Sequence, residues 1–306
     1  MSFDLNYLFD APNIKEINAI CLSAGAAKGY YQLGACHFLY SQNNFNNINT
    51  FIGTSVGSAL ALLLCIGYEP VEFFSYMCQN DIDDCWEYDI SLHQFIINWG
   101  AIDHKKFKNY LEKAILEKIG YIPTFEDIYL NLGKIFICSA WCINSKEHKT
   151  FFNFIDTPNL SCLDAVIASC AIPGLFTKVE INGKLYIDGA LFDFCPVDHI
   201  LELLSNYLNF SINDLHIIYT KSDINNNKND CIKIDTLLDY IKEISYIPFY
   251  MQKEIKVNDI KNKFKVNTLN YFVINCEHNE ITLNLPIKSR IKNFCDGFEQ
   301  IKDLIS

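Results

Sequence analysis

One pentapeptide, Gly53-Thr54-Ser55-Val56-Gly57, constrains this chain more than any other stretch, because a strand-like run ends at its first glycine and a helix-like run follows it. Asn49 to Ile52 reads as the end of a buried strand. Ser58 to Ile66 is nearly all small or apolar, as a helix packed on every side is, and Gly67 stops it. A strand that turns straight into a helix over Gly-x-Ser-x-Gly is a nucleophile elbow, in which small residues two positions either side of the serine relieve crowding in a strained backbone. Ser55 is therefore the candidate nucleophile, with Gly53 and Gly57 as its supports. It also sits at a helix N-terminus, whose unpaired N–H groups and dipole favour the negative charge that develops during acyl transfer.

The residues before the elbow supply a second loop. Ile17 to Leu22 has strand length, Ser23-Ala24-Gly25-Ala26-Ala27-Lys28-Gly29 is a run of small residues carrying one lysine, and Tyr30 to Tyr40 has helical periodicity. Such a loop lets backbone N–H groups approach an anion, and Lys28 adds positive charge beside it. The glycine spacings of nucleotide-phosphate loops are absent, so the oxyanion of an acyl intermediate fits better. The order strand, loop, helix, strand, elbow, helix predicts a parallel, helix-covered sheet with both loops at its carboxyl edge.

Bulk properties narrow the function classes. The chain has 306 residues, half of them hydrophobic, enough for a large core. Its net charge of −11 argues against nucleic acid and against unaided attraction to anionic lipid. No apolar run approaches the ~18 residues of a membrane span, and the N-terminus lacks the pattern of a signal peptide. The thirteen cysteines are scattered without a disulfide rhythm, which points to an intracellular setting, cytoplasmic or peripheral on membranes. Cys138 and Cys142 have no partner pair for zinc, and the acidic cluster Asp81, Asp83, Asp84, Glu87 and Asp89 lacks the spacing of a calcium loop, so it reads as solvated surface. The basic residues Lys253, Lys256, Lys261, Lys263, Lys265, Lys288, Arg290 and Lys292 read as a solvated helical face, or else as a headgroup-facing surface. Arg290 is the chain's single arginine. The aromatics between Tyr68 and Gly120, in an otherwise helical pattern, belong to the core or to the mouth of an acyl pocket.

Further along, Lys134 to Ile143 reads as a strand with Thr150 to Phe154 beside it. Ser161-x-x-Asp164 forms a capping box for a helix over Ala165 to Cys170, ended by Pro173. Lys178 to Ile181 and Lys184 to Ile187, joined by Asn182-Gly183, make a hairpin with a type I′ turn. Asp188-Gly189-Ala190 follows at the hairpin's end, where Asp188 is placed as functional carboxylates are, and equally as a turn-forming aspartate is. An activated serine needs a base, and none of His37, His199, His216 or His278 sits in a strand-end turn with small neighbours. A Ser–Asp dyad then becomes attractive, provided burial raises the carboxylate's pKa.

Leu22 to Gly34, Ile52 to Gly57, Ser169-Cys170-Ala171-Ile172-Pro173-Gly174 and Tyr186-Ile187-Asp188-Gly189-Ala190 together resemble the patatin-like phospholipase family in order and spacing, from about residue 17 to about 220. Thr124-Phe125-Glu126-Asp127 resembles its pattern too. The resemblance implies an α/β three-layer sandwich with a mainly parallel central sheet and a dyad of Ser55 and Asp188 flanked by Gly189 and Ala190. It also implies an oxyanion loop at Gly25 with Lys28 alongside, and hydrolysis of lipid acyl esters, phospholipase A-type, without metal or cofactor. A transacylase, lysophospholipase, neutral-lipid esterase or non-catalytic lipid binder are the alternatives. The implied partners are a lipid substrate and a peripheral membrane surface. Where the family loop carries Gly-Gly-Gly, this chain has Ala24 and Ala26, harmless at negative φ and costly at positive φ. Expected boundaries are a lead-in over 1–16, the catalytic domain over 17–220 and an extension over 221–306, packed on or completing the same domain, which contains a linker-like segment at Ser222 to Asp230.

Overall fold

A computed structural model describes residues 14 and 16–305 apart from 44, 81, 87–91, 209, 223–233, 237–238, 241–242, 245–246, 248–256 and 278–282. The expected lead-in, the linker-like segment after Ser222, His278, Lys253, Lys256, Asp81, Glu87 and Asp89 lie outside the described residues or almost wholly so.

In chain order the elements are β1 (Glu16–Leu22), α1 (Gly29–Ser41), β2 (Thr50–Thr54), α2 (Val56–Cys65), α3 (Pro70–Gln79), α4 (Leu92–Asn98), β3 (Gly100–Ile102), α5 (His104–Ile119), α6 (Phe125–Leu132) and β4 (Ile135–Cys142). They continue with β5 (Lys149–Phe152), α7 (Cys162–Ser169), β6 (Gly174–Phe176), β7 (Val179–Ile181), β8 (Lys184–Asp188), α8 (Val197–Leu208), β9 (Ser211–Ser222), α9 (Val257–Phe264), β10 (Thr268–Cys276) and α10 (Ile287–Ile305). The main sheet runs β10-β9-β1-β2-β4-β8-β7, with β5 also on β4. Every pairing from β10 through β4 is parallel, and β8, β7 and β5 are antiparallel additions. The sheet is thus mostly parallel and flanked by helices. Of its central strands, β2 is buried along its whole length and β4 everywhere but Trp141, as strands covered on both faces are.

The register on β4 explains how the carboxyl ends of two distant strands meet. β2 pairs with Ile135 to Ser139, β8 pairs antiparallel with Ala140 to Cys142, and β5 pairs with Cys138 to Trp141. Because a strand has only two edges and β5 overlaps both of the others, β2 and β8 share one edge of β4. They run toward each other there and end at adjacent positions, Thr54 opposite Ser139 and Asp188 opposite Ala140.

Local chemistry matches these elements with three adjustments. Asn182 (φ 52°) and Gly183 (φ 74°) both take the left-handed conformation that the hairpin turn requires. The helix expected at Ala165 starts at Cys162, and its cap is one-sided: Ser161 accepts the Asp164 N–H, whereas the Asp164 carboxylate pairs with Lys108. The sequence also reads as a helix over Asp193 to Asn206, but that helix starts at Val197, after Pro196, whose ring is suited to a helix entrance. Finally, the stretch from Tyr68 to Gly120 is not wholly helical, because β3 pairs with β6 in a small parallel sheet. Strands of three residues are too short to show a period.

The C-terminal segment joins the same body. β10 extends the parallel sheet, and α10 lies against α1, where a Cβ on Gly34 would run into the Phe294 carbonyl and one on Gly297 into that of Tyr31. Paired glycines therefore set the closeness of these two helices. Among the described residues no single helix is long and apolar enough to cross a membrane.

Candidate active site

The elbow holds its serine under strain. Ser55 has φ 55° and ψ −129°, a region that residues with a Cβ occupy at a cost of about 1–3 kcal/mol when their surroundings enforce it. A Cβ on Gly53 would collide with the Gly57 carbonyl, and one on Gly57 with the carbonyl of Leu22. Both glycines are thus fixed by close backbone approach. The turn is also tied by small polar side chains: Ser169 Oγ accepts the Ser55 N–H (2.8 Å) and donates to the Ser139 carbonyl (2.6 Å). Ser58 Oγ donates to the Ser55 carbonyl (2.6 Å), and Thr54 and Ser139 join their hydroxyls at 2.7 Å. Ser169 lies in a motif quoted for the family resemblance, but only the fold reveals its contact with the elbow. Ser139 sits within a strand and carries no sequence signal of its own.

Ser55 Oγ donates to Asp188 Oδ2 at 2.6 Å, and the other carboxylate oxygen accepts the Ala190 N–H at 2.8 Å. Asp188 is fully buried, and its own N–H donates to the Ala171 carbonyl (2.9 Å). Gly189 is held against the Ser139 carbonyl, which leaves no space for a Cβ. Burial raises the Asp188 carboxyl to about 7, against the hydrogen bonds from Ser55 and Ala190, which lower it. A carboxylate with that pKa is matched to taking a hydroxyl proton near neutral pH.

The histidines lie elsewhere. His199 is bonded to Lys149 (2.9 Å), His216 stacks on Phe272, and His37 packs among Phe294 and Phe298. Among the described residues no histidine bonds to Ser55 or Asp188. Cys170 also faces the site, but burial pushes its thiol well above the ordinary range, which suppresses the thiolate. Among the described residues no group of three or more His, Cys, Asp or Glu side chains is placed to hold a metal ion.

The loop from Ala24 to Gly29 lies beside the serine. Ala24 N donates to the Phe194 carbonyl and Lys28 N to that of Gly25, whereas the N–H groups of Gly25, Ala26 and Ala27 find no acceptor among the described residues. Ala26 and Ala27 line the same pocket as Ser55. The two alanines differ: Ala26 has φ 47°, the costly case, and Ala24 does not have positive φ. Lys28 does not line that pocket. Its buried ammonium donates to Ser222 Oγ (3.0 Å) at the end of β9 and lies over the Phe194 ring.

Ser55 opens into an apolar pocket of about 750 Å³, counted to its open mouth. Phe73, Met77, Trp86, Phe107, Tyr110 and Phe176 form much of its wall, and among the described residues no lining side chain is charged. Several aromatics of the 68–120 stretch therefore surround the apolar cavity beside Ser55.

A family profile described as patatin-like phospholipase matches residues 20–201. The chain belongs to this family. It is 32% identical over 192 residues to probable lipid hydrolase 463L of Invertebrate iridescent virus 6, covering 60% of this chain and 63% of that protein. It is 26% identical over 170 residues to triacylglycerol lipase ptl2 of Schizosaccharomyces pombe, covering 53% of this chain and 25% of that one. Among solved structures, VipD from Legionella pneumophila superposes with a TM-score of 0.57 at 13% identity, covering 94% of this chain and 66% of VipD. The chain thus spans less than two thirds of each of these proteins, and the last comparison bears on the fold alone. The elbow, Asp188 and the pocket loop all lie within the matched residues, whereas β9, β10 and α10 lie beyond them.

Proposed function

We propose that the protein is a serine-dependent lipid acyl hydrolase of phospholipase A type. The observation that carries this reading is the 2.6 Å bond from a strained serine to a buried aspartate, opening into an apolar pocket. Ser55 Oγ attacks the ester carbonyl while Asp188 takes its proton. The free N–H groups of the Gly25 loop, with those at the start of α2, hold the oxyanion. As the tetrahedral intermediate collapses, Asp188 passes the proton to the leaving alcohol oxygen, and the acyl chain stays on Ser55 with its tail in the pocket. Water then attacks the acyl-enzyme, giving its proton to Asp188, and as this second intermediate collapses Asp188 passes that proton to the leaving Ser55 Oγ, releasing the fatty acid and restoring the free serine and the carboxylate.

A neutral-lipid substrate is the second reading, favoured by a pocket lined, among the described residues, without charged side chains and by the similarity to a triacylglycerol lipase. Action at a lipid surface is supported by Ile96, Ile97 and Trp99, which stand exposed at the end of α4, with the Lys178 ammonium 4.2 Å from the Trp99 ring centroid. A fluorophosphonate probe is expected to label Ser55, and phospholipid or triacylglycerol vesicles to release fatty acid with parent protein but not with Ser55→Ala. Unlabelled folded protein whose lipid products match those of Ser55→Ala would overturn the reading. Added lysolipid or alcohol acceptors would reveal a transacylase by acylated acceptor in place of free fatty acid.

A further inference from the structure

The acidic cluster around Asp83 and the basic cluster around Arg290 both read as surface in the sequence, yet one member of each meets the other beside the pocket. Arg290 is 4% exposed and is the chain's only arginine. Its guanidinium pairs through Nη2 with Asp83 Oδ2 (2.5 Å), donates through Nε to the Leu285 carbonyl (2.8 Å) and through Nη1 to the Met77 carbonyl near the end of α3 (3.4 Å). It also lies 5.9 Å from the centroid of the Tyr30 ring. A lysine has one point charge and no planar fork, so it cannot meet these acceptors together.

The pieces joined by this one side chain are pieces of the pocket. Tyr30 comes from α1, Met77 from α3, Ile82 and Trp86 from the 3₁₀ turn that carries Asp83, and Leu283 from the segment leading into α10. Arg290 itself does not line the pocket, so any effect on substrate passes through those residues.

We infer that Arg290 is a positioning residue that fixes this pocket wall and thereby sets which acyl chains the enzyme accepts, the C-terminal helix bracing the substrate site from behind its lining. The inference rests on the hydrolase reading above. A fixed wall holds a long chain along its whole length, whereas a short chain occupies less of it, so loosening the wall penalises the long chain more.

The test uses the full chain with p-nitrophenyl butyrate and palmitate. In Arg290→Lys and Arg290→Met the palmitate-to-butyrate ratio of kcat/KM is expected to fall about tenfold or more, mainly through a raised KM for palmitate, and in Asp83→Asn about threefold. Ile301→Ala, which removes a buried side chain from the same helix outside the pocket lining, is expected to lower the melting temperature without moving the ratio. Ratios that stay within about twofold of parent in every variant overturn the inference, as does an equal shift in Ile301→Ala. Should the Arg290 variants fail to fold, Asp83→Asn, at a partly exposed position, decides the matter. Parent protein that neither takes fluorophosphonate at Ser55 nor cleaves any ester refutes the hydrolase reading instead. Binding of cis-parinaric acid then replaces turnover: weaker binding in Arg290→Lys supports the positioning role, and unchanged binding refutes it.

Discussion

Two buried charged side chains stand beside one pocket, and their surroundings differ in kind. Asp188 has one side-chain donor and one backbone N–H, and burial raises its carboxyl to about 7, so near neutral pH it exchanges a proton readily. Arg290 cannot lose its charge, and the fold gives it a carboxylate, two carbonyls and an aromatic face. The difference teaches what each group is for. A base must be left short of partners for its charged form, whereas a structural cation must be fully supplied, because an unpaired buried charge costs several kcal/mol.

The contrast breaks most visibly at the dyad. Ser55→Ala is expected to reduce lipid hydrolysis roughly 10⁴- to 10⁶-fold, read by fatty-acid release and by loss of probe labelling. Asp188→Asn is expected to cost about 10³- to 10⁴-fold, with His199→Ala within about twofold of parent; the reverse pattern would assign the base to a histidine. At the other charge, Arg290→Met is expected to lower stability by about 2–4 kcal/mol in denaturant titrations. A loss as small as that of an exposed lysine would show that the guanidinium's partners contribute little.

The pH dependence sharpens the comparison. Because turnover needs Asp188 ionised, kcat/KM is expected to rise as pH passes through about 7. Stability moves the opposite way. The unfolded carboxyl ionises near its ordinary ~4, whereas the folded one holds its proton to about 7, so the fold loses stability as pH climbs between those values. The stability gain of Asp188→Asn over parent, read by denaturant titration, is therefore expected to be absent near pH 4 and complete by pH 8, up to about 4 kcal/mol. The smallest expected effect belongs to the loop: Ala26→Gly relieves the φ of 47° and gains about 1 kcal/mol, and Ala24→Gly, which does not start from positive φ, gains nothing.

Legibility in the sequence followed the range of the physics. The elbow, the Asn182-Gly183 turn and the small-residue loop were legible because steric demands on a few adjacent residues leave a fixed local pattern. The helical starts at Cys162 and Val197 and the short β3–β6 pair were misplaced or missed, since they depend on a competing lysine, a proline and a distant partner strand. The clusters around Asp83 and Arg290 were misread because a charge run looks the same whether water or another charge faces it.

By itself the sequence determined the local geometry: a serine at a strained turn, an aspartate at a hairpin's end, a loop of small residues and a mostly parallel sheet. Only the tertiary structure decided that β2 and β8 end at neighbouring positions on one edge of β4, which sets Ser55 and Asp188 in contact across 133 residues of chain. It alone decided, too, that Lys28 turns away to Ser222 while Arg290 turns inward to Asp83. The reason is that backbone strain is written in nearest neighbours, whereas the burial and pairing of a charge depend on what the rest of the chain packs around it.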